Sequence, residues 1–200
     1  LQTLGYSRTA YHPYYGTGWN RESVYSLMGF EDFISLEDFV SQSTLDTYQQ
    51  NGDVEEYEAL LAQEHPGEDI LLRRFVSDAY VYQMVEEMYE NRDASRPFFI
   101  FNVTMQNHGG YGVSYRNFEQ EIHITNLSGF YPQAERYLSL VKESDAAFES
   151  LVEYFSNVDE PTMICMFGDH FPSVEDEFYE EMLGSSLDEL TVEQEQKRYA

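Results

Sequence analysis

Thr162-Met163-Ile164-Cys165-Met166-Phe167-Gly168-Asp169-His170-Phe171-Pro172 is the stretch on which the fold turns. Six residues of strand character run into a glycine, and an aspartate and a histidine follow at once. A short apolar run bounded by turn residues predicts a buried strand. Gly168 lets the backbone turn sharply at its end. Asp169 and His170 then stand at the strand's carboxyl edge, where open α/β sheets place their ligands. A carboxylate oxygen beside an imidazole nitrogen suits a divalent cation such as Mn²⁺ or Zn²⁺. Taken alone, the motif is equally compatible with a turn whose aspartate caps the next helix.

Working outward, Pro97 opens the strongest strand, Phe98 to Thr104, which runs into Gln106-Asn107-His108-Gly109-Gly110-Tyr111. Tyr6 to Tyr11 reads as another strand, stopped by His12-Pro13. Phe30 to Val40 is mixed, with a brief strand at Phe33-Ile34 and then acidic loop. Helices are expected from Asn20 as cap to Met28 with Gly29 as the stop, and from Asp53 to just before His65-Pro66-Gly67. Others follow Ser77 or Asp78, and run over Ala134–Phe155 and Val174–Leu183. Two more starts are expected at Ser186 and Thr191. The inward stripe of the long helix is read as Val141, Ser144, Phe148, Leu151, Val152 and Phe155. Strands alternating with helices imply an α/β fold with a largely parallel sheet flanked by helices. In a parallel sheet the ends of Tyr6–Tyr11, Phe98–Thr104 and Thr162–Phe167 converge on one edge. They would bring His12, His108, Asp169 and His170 together. His65 and His123 read as surface residues.

Composition sets the limits. Two hundred residues can bury one core, and 42% apolar content with 17 Tyr and 14 Phe excludes disorder. Against 37 acidic residues stand 11 basic ones, a formal charge of −26. Such a surface repels nucleic acid and anionic membranes, so an anionic ligand must be held by local positive charge. The lone Cys165, inside the apolar run, is expected to act as a small buried hydrophobe. No run of 18 apolar residues appears, so the chain itself is expected to be soluble. Its start at Leu1 suggests a fragment, with membrane segments outside it.

Trp19-Asn20-Arg21 adds a candidate anion site. Arginine in the first turn of a helix opposes the macrodipole, at about 0.3–1 kcal/mol. A bound anion would reverse that penalty, gripped by helix N–H groups and guanidinium together. The plainer alternative is an ion pair with Glu22 or another nearby acid.

The ordered set His12-Pro13-Tyr14, Trp19-Asn20-Arg21-Glu22, Tyr25, Gly29-Phe30-x-x-Phe33, Ser77-Asp78, Asn107-His108-Gly109-Gly110-Tyr111, Tyr137-Leu138-x-x-Val141-x-x-Ser144-Asp145 and Phe167-Gly168-Asp169-His170-Phe171-Pro172 resembles a known family. It is similar to the sulfatase-like phosphoglycerol transferases, the lipoteichoic acid synthase branch of the alkaline phosphatase superfamily. The resemblance implies an incomplete alkaline phosphatase/sulfatase-like fold, with residues 1–200 forming the C-terminal portion of the catalytic domain. It implies cleavage of a glycerophospholipid at the outer membrane face and transfer of glycerophosphate to a cell-envelope polymer. It also implies a divalent metal, Mn²⁺ before Zn²⁺ or Mg²⁺, held in part by Asp169 and His170. His12, Trp19, Arg21 and His108 would bind the glycerophosphate, with His108 also serving the reacting oxygens. The family's nucleophilic threonine and a further acidic ligand would lie upstream of Leu1. The alternatives are a sulfatase or phosphatase of the same superfamily, or a non-catalytic relative that binds glycerophosphate.

Overall fold

A computed structural model describes residues 1–198. Its strands are β1 (Ser7–Tyr11), β2 (Asp32–Ile34), β3 (Leu71–Leu72), β4 (Phe75–Val76) and β5 (Phe98–Asn102). Its helices are α1 (Arg21–Met28), α2 (Gln42–Asn51), α3 (Val54–Glu64), α4 (Asp78–Glu90), α5 (Pro132–Ser156), α6 (Asp176–Leu183) and α7 (Val192–Arg198). The main sheet runs β2-β1-β5 and is parallel throughout, as expected; β3 and β4 form a small antiparallel hairpin. In register, Tyr11 stands between Ile34 and Asn102, so the three strands end level with one another. The chain leaves β1 at His12 with its ladder continued: His12 N–H donates to Ile34, and Val103 N–H donates to the Tyr11 carbonyl.

Local chemistry explains most boundaries. Ser77 caps α4 by accepting from the Tyr80 amide, and Asp53 caps α3 by accepting from Glu55 and Glu56. Gly29 closes α1 with φ 86°, a conformation that costs glycine nothing. Around the central strand, α4 packs along α5. Tyr11, Leu45, Tyr57, Leu61, Val81, Val85 and Leu151 belong to one buried cluster. A second cluster gathers Tyr111, Tyr131, Ala134, Leu140 and Val174.

Several expectations are corrected. Thr162–Phe167 is not a buried strand. The run is irregular and exposed, with Met163 at 88% and Phe167 at 73%, and Cys165 is exposed rather than buried. A strand exists only through a ladder with a neighbour. Among the described residues, neither edge of the β2-β1-β5 sheet pairs with this run. On α5, Val141 and Val152 face solvent, and the buried line is Leu140, Ser144, Ala147 and Leu151. Small residues on that line let α4 approach closely, which leaves the two valines at its flank. Asn20 precedes α1 without capping it, because its backbone is left-handed at φ 57° and its side chain makes no cap bond. Helix α2 occupies a stretch for which no element was expected, and the β3–β4 hairpin was likewise unforeseen. His65 is half-buried, with Nε2 bonded to the Phe39 carbonyl, whereas His123 is exposed as expected.

Candidate active site

The level carboxyl ends of β1 and β5 place two histidines side by side. His12 is completely buried, and its Nδ1–H donates to the Val103 carbonyl at 2.8 Å. That bond fixes the tautomer and leaves the Nε2 lone pair, which is buried without a protein partner. Burial, with a smaller contribution from the Arg21 charge, lowers its pKa to about 4. His12 is therefore a neutral imidazole with one acceptor available, suited to take a hydrogen bond from a hydroxyl.

His12 is one of five rings that form a closed circuit. Trp19 lies 5.9 Å from His12 and 6.0 Å from His108. Phe75 is 5.7 Å from His108 and 6.3 Å from Tyr14, and Tyr14 is 6.0 Å from His12. Trp19, 58% exposed, is the solvent-facing ring of the five. Its φ of 52° is followed by Asn20 at 57°, two consecutive left-handed residues. That conformation costs a non-glycine residue about 1–3 kcal/mol, and such strain gathers where function needs a particular side-chain direction. Here it aims the indole between the two histidines.

Arg21 opens α1 directly behind the indole, its guanidinium 5.2 Å from the Trp19 ring centre. One amino group donates to the Tyr25 hydroxyl at 2.6 Å, and Nε is buried with no partner. Among the described residues no carboxylate pairs with Arg21, although Glu22 is its neighbour in sequence. In a chain of charge −26 that is a selective omission.

His108 stands on a loop fixed from beneath. Ser144 on α5 accepts from the Gln106 and Asn107 side-chain amides at 2.9 and 2.8 Å. It donates in turn to buried Asp78 at 2.6 Å. Gln106 also accepts from the Asp78 backbone N–H. Burial raises the Asp78 pKa, and the Ser144 hydrogen bond opposes that rise. The His108 pKa is lowered, first by burial and then by the charges of His170, Arg74 and Arg73, with Asp169 acting in the opposite sense. Ring and cation contacts join four of the expected residues, His12, Trp19, Arg21 and His108. Asp169 and His170 act on His108 only through their charges, from an exposed segment that forms no strand.

The fit to a metal can be tested on the donors. His170 Nδ1–H donates to the Phe171 carbonyl at 2.8 Å, which leaves the Nε2 lone pair, 3.8 Å from Asp169 Oδ2. The donors are right in kind but short in number. Among the described residues no group of three or more His, Cys, Asp or Glu could hold an ion. A closed shell needs at least four ligands, so these residues alone do not make a metal site.

Sequence reading missed Arg73 and Arg74, which reach the site from the β3–β4 turn. Their signal was visible: adjacent arginines ahead of an aromatic, in a chain with few cations.

The chain belongs to the sulfatase family, whose family model matches residues 1–197. Among curated proteins it is 30% identical over 174 residues to a protein of Rhizobium meliloti (strain 1021) named for cyclic beta-1,2-glucan modification. That match covers 84% of this chain and 22% of the relative. It is 24% identical over 172 residues to the capsular polysaccharide biosynthesis protein RkpI of the same organism, covering 86% and 25%. Its fold is similar to that of the lipoteichoic acid synthase LtaP from Listeria monocytogenes, with TM-score 0.51 and 16% identity over 78% of this chain and 31% of that one. It is also similar to the phosphoglycerol transferase GacH from Streptococcus pyogenes, solved with sn-glycerol-1-phosphate. There the TM-score is 0.55 and the identity 22%, over 86% and 38% of the two chains. The chain thus spans about a quarter or less of the curated relatives it matches. No helix among the described residues is long and apolar enough to cross a membrane.

Proposed function

We propose that this chain is the C-terminal, substrate-binding portion of a metal-dependent phosphoglycerol transferase or phosphodiesterase. The parent would act at the outer membrane face on glycerophospholipid headgroups, or on a polymer built from them. The carrying observation is the convergence of His12, Trp19, Arg21 and His108 in one aromatic cluster in which Arg21 has no carboxylate partner among the described residues. Each takes a role fitted to its chemistry. Arg21 clamps two phosphate oxygens, an arrangement a planar guanidinium offers and an ammonium does not. Trp19 walls the glycerol carbons. His12, neutral and with only Nε2 available, accepts from a glycerol hydroxyl. His108, its Nδ1 buried without a partner, serves the phosphoryl or leaving oxygen.

Asp169 and His170 would be two ligands of a divalent cation, Mn²⁺ foremost, whose chemistry when bound is to neutralise phosphoryl charge. The remaining ligands and the nucleophile, expected to be a threonine, would come from outside residues 1–200. GacH, named as a phosphoglycerol transferase and solved with sn-glycerol-1-phosphate, supports the glycerophosphate reading. The names of the two Rhizobium relatives support a saccharide as the acceptor.

The test is titration of the full-length protein with sn-glycerol 1-phosphate and with methyl sulfate, followed by NMR at the Trp19 indole and the His108 imidazole. Saturable binding of the phosphate at both rings is expected. Preference for the sulfate ester, or shifts confined to other surfaces, would overturn the reading.

A further inference from the structure

The chain's cations are not spread evenly. Arg8, Arg92, Arg96, Arg116, Lys142 and Lys197 each pair with a carboxylate. Arg21, Arg73, Arg74 and Arg136 do not pair among the described residues. Arg136 donates to the Tyr111 carbonyl, and Arg74 stacks over Phe75 at 4.9 Å. All four border the Trp19–His108–Tyr111 region. Arg73 is the least expected of them, because it is 2% exposed and fully buried cations are normally matched by an anion.

Its partners explain the placement. One terminal nitrogen donates to the Gln106 carbonyl at 2.7 Å and to the His108 carbonyl at 2.8 Å. The guanidinium is boxed by Phe75 and Tyr111, each 5.6 Å away, and by Tyr115 at 6.0 Å. The backbone is also committed. Arg73 has φ 57°, a left-handed residue between β3 and β4, and the Asn117 amide donates to its carbonyl at 3.0 Å. The hairpin therefore aims one side chain across the site and spans the two residues around Asn107. The Gln106 and Asn107 side chains are tied in turn by Ser144. Held by its carbonyls and by its side chains, the loop can present the His108 imidazole in one direction, edge-on to Trp19 and Phe75.

We infer that Arg73 is a positioning residue: its two-carbonyl grip sets the His108 imidazole against Trp19 and adds an unneutralised positive charge beneath the ring cluster. The part concerning ligand affinity rests on the proposed glycerophosphate site; the part concerning the ring contact does not. A neutral amide could tie the same two carbonyls. A guanidinium held by carbonyls and aromatic faces rather than by a carboxylate keeps its charge available to an anion above it.

The test uses the full-length protein and Arg73→Gly. Glycine adopts φ 57° without strain, so the backbone of the turn is retained while the guanidinium is removed. Two readouts are taken: the nuclear Overhauser contact between the His108 and Trp19 rings, and the affinity for sn-glycerol 1-phosphate. The stacked Tyr48–Tyr57 pair, 4.4 Å apart in the other core, reports an intact fold. Arg73→Gly should abolish the His108–Trp19 contact, weaken binding about tenfold or more, and leave Tyr48–Tyr57 unchanged. Guanidinium ion at a non-denaturing concentration should restore both contact and affinity, which a general loss of stability would not allow. An unaltered His108–Trp19 contact, or a lost one that guanidinium does not restore, overturns the inference. If Arg73→Gly fails to fold, Arg73→Lys gives the same reading, because an ammonium keeps the charge and loses the fixed grip. A weakened ring contact then supports the positioning role and an unchanged one overturns it. Failure of the wild type to bind sn-glycerol 1-phosphate would refute the proposed function, while the ring contact would still decide the role of Arg73.

Discussion

Acidification should destabilise the protein through His12, by an amount that can be worked out. The folded pKa is lowered to about 4 against an ordinary 6.5, because the ring is buried and Arg21 lies nearby. The unfolded chain therefore binds a proton at a pH where the folded one does not. Stability is fully present above pH 6.5, falls as pH drops, and stops falling below about pH 4. Each pKa unit is 1.36 kcal/mol, so the full loss is about 3 kcal/mol, and about 2 kcal/mol is lost by pH 5. For a domain of this size that is a fall of about 4–8 °C in Tm. Other groups titrate over the same range. Asp78, with its raised pKa, is stabilised as pH falls, and the relaxing repulsion of a −26 chain acts in the same direction. The assay is consequently a difference between thermal melts of the wild type and His12→Asn at pH 7.5 and pH 5. Asparagine can still donate to the Val103 carbonyl and does not titrate. The wild type should lose about 2 kcal/mol more than the variant between the two values. Equal losses would mean that His12 takes up its proton in the fold at the same pH as in the unfolded chain, and a smaller loss in the wild type that it is held protonated; either result would remove its role as a neutral buried acceptor.

Arg21→Lys should weaken sn-glycerol 1-phosphate binding about tenfold, since an ammonium cannot reproduce the two-pronged grip; an unchanged Kd by calorimetry would remove Arg21 from the site. Ser144→Ala should lower stability by about 1–3 kcal/mol, because it strands the Asn107 amide and takes one partner each from the buried Gln106 amide and Asp78 carboxyl. The measurement is the urea midpoint at constant m, and a shift too small to resolve would show that the network is not closed in solution. Mn²⁺ should bind residues 1–200 only weakly, bind the full-length protein tightly, and lose that tight site in Asp169→Ala. Tight stoichiometric binding to residues 1–200 alone would show that Asp169 and His170 have further ligands within the chain.

What could be read from sequence depended on whether each signal was local. β1 and β5 were bounded by Pro13 and Pro97, and the α1, α3 and α4 boundaries by Gly29, Asp53 and Ser77. Each of these residues acts on its own few neighbours. Convergence of His12 and His108 followed from parallel topology, which leaves strand ends on one edge. Thr162–Phe167 failed for the opposite reason. Its apolar character is local, but being a strand is a relation to a partner, and none of the described strands adopts it. The α5 stripe was displaced for a related cause. Val141 and Val152 lie at the margin of the helical face, and only the approach of α4 decides which margin is covered. The Arg73-Arg74 pair stood out in a chain with few cations, but what Arg73 holds could not be read, because its left-handed backbone and its grip on a loop more than thirty residues away are tertiary facts.

Helix α5 is 25 residues long, about 38 Å at 1.5 Å per residue. Its N-terminal half contributes Ala134 and Leu140 to one buried cluster, and its C-terminal half contributes Ala147 and Leu151 to the other. Ser144 falls at the seam between them. The two clusters therefore share a single rod and cannot loosen independently, because opening either one withdraws half of that rod's packing. Local openings will be confined to the exposed Thr162–His170 segment and α7. Amides 140–151 will exchange last and together, at the rate of global unfolding. The tether beneath His108 is thus anchored at the most slowly opening point of the molecule, and the ring cluster keeps its shape for as long as the protein stays folded.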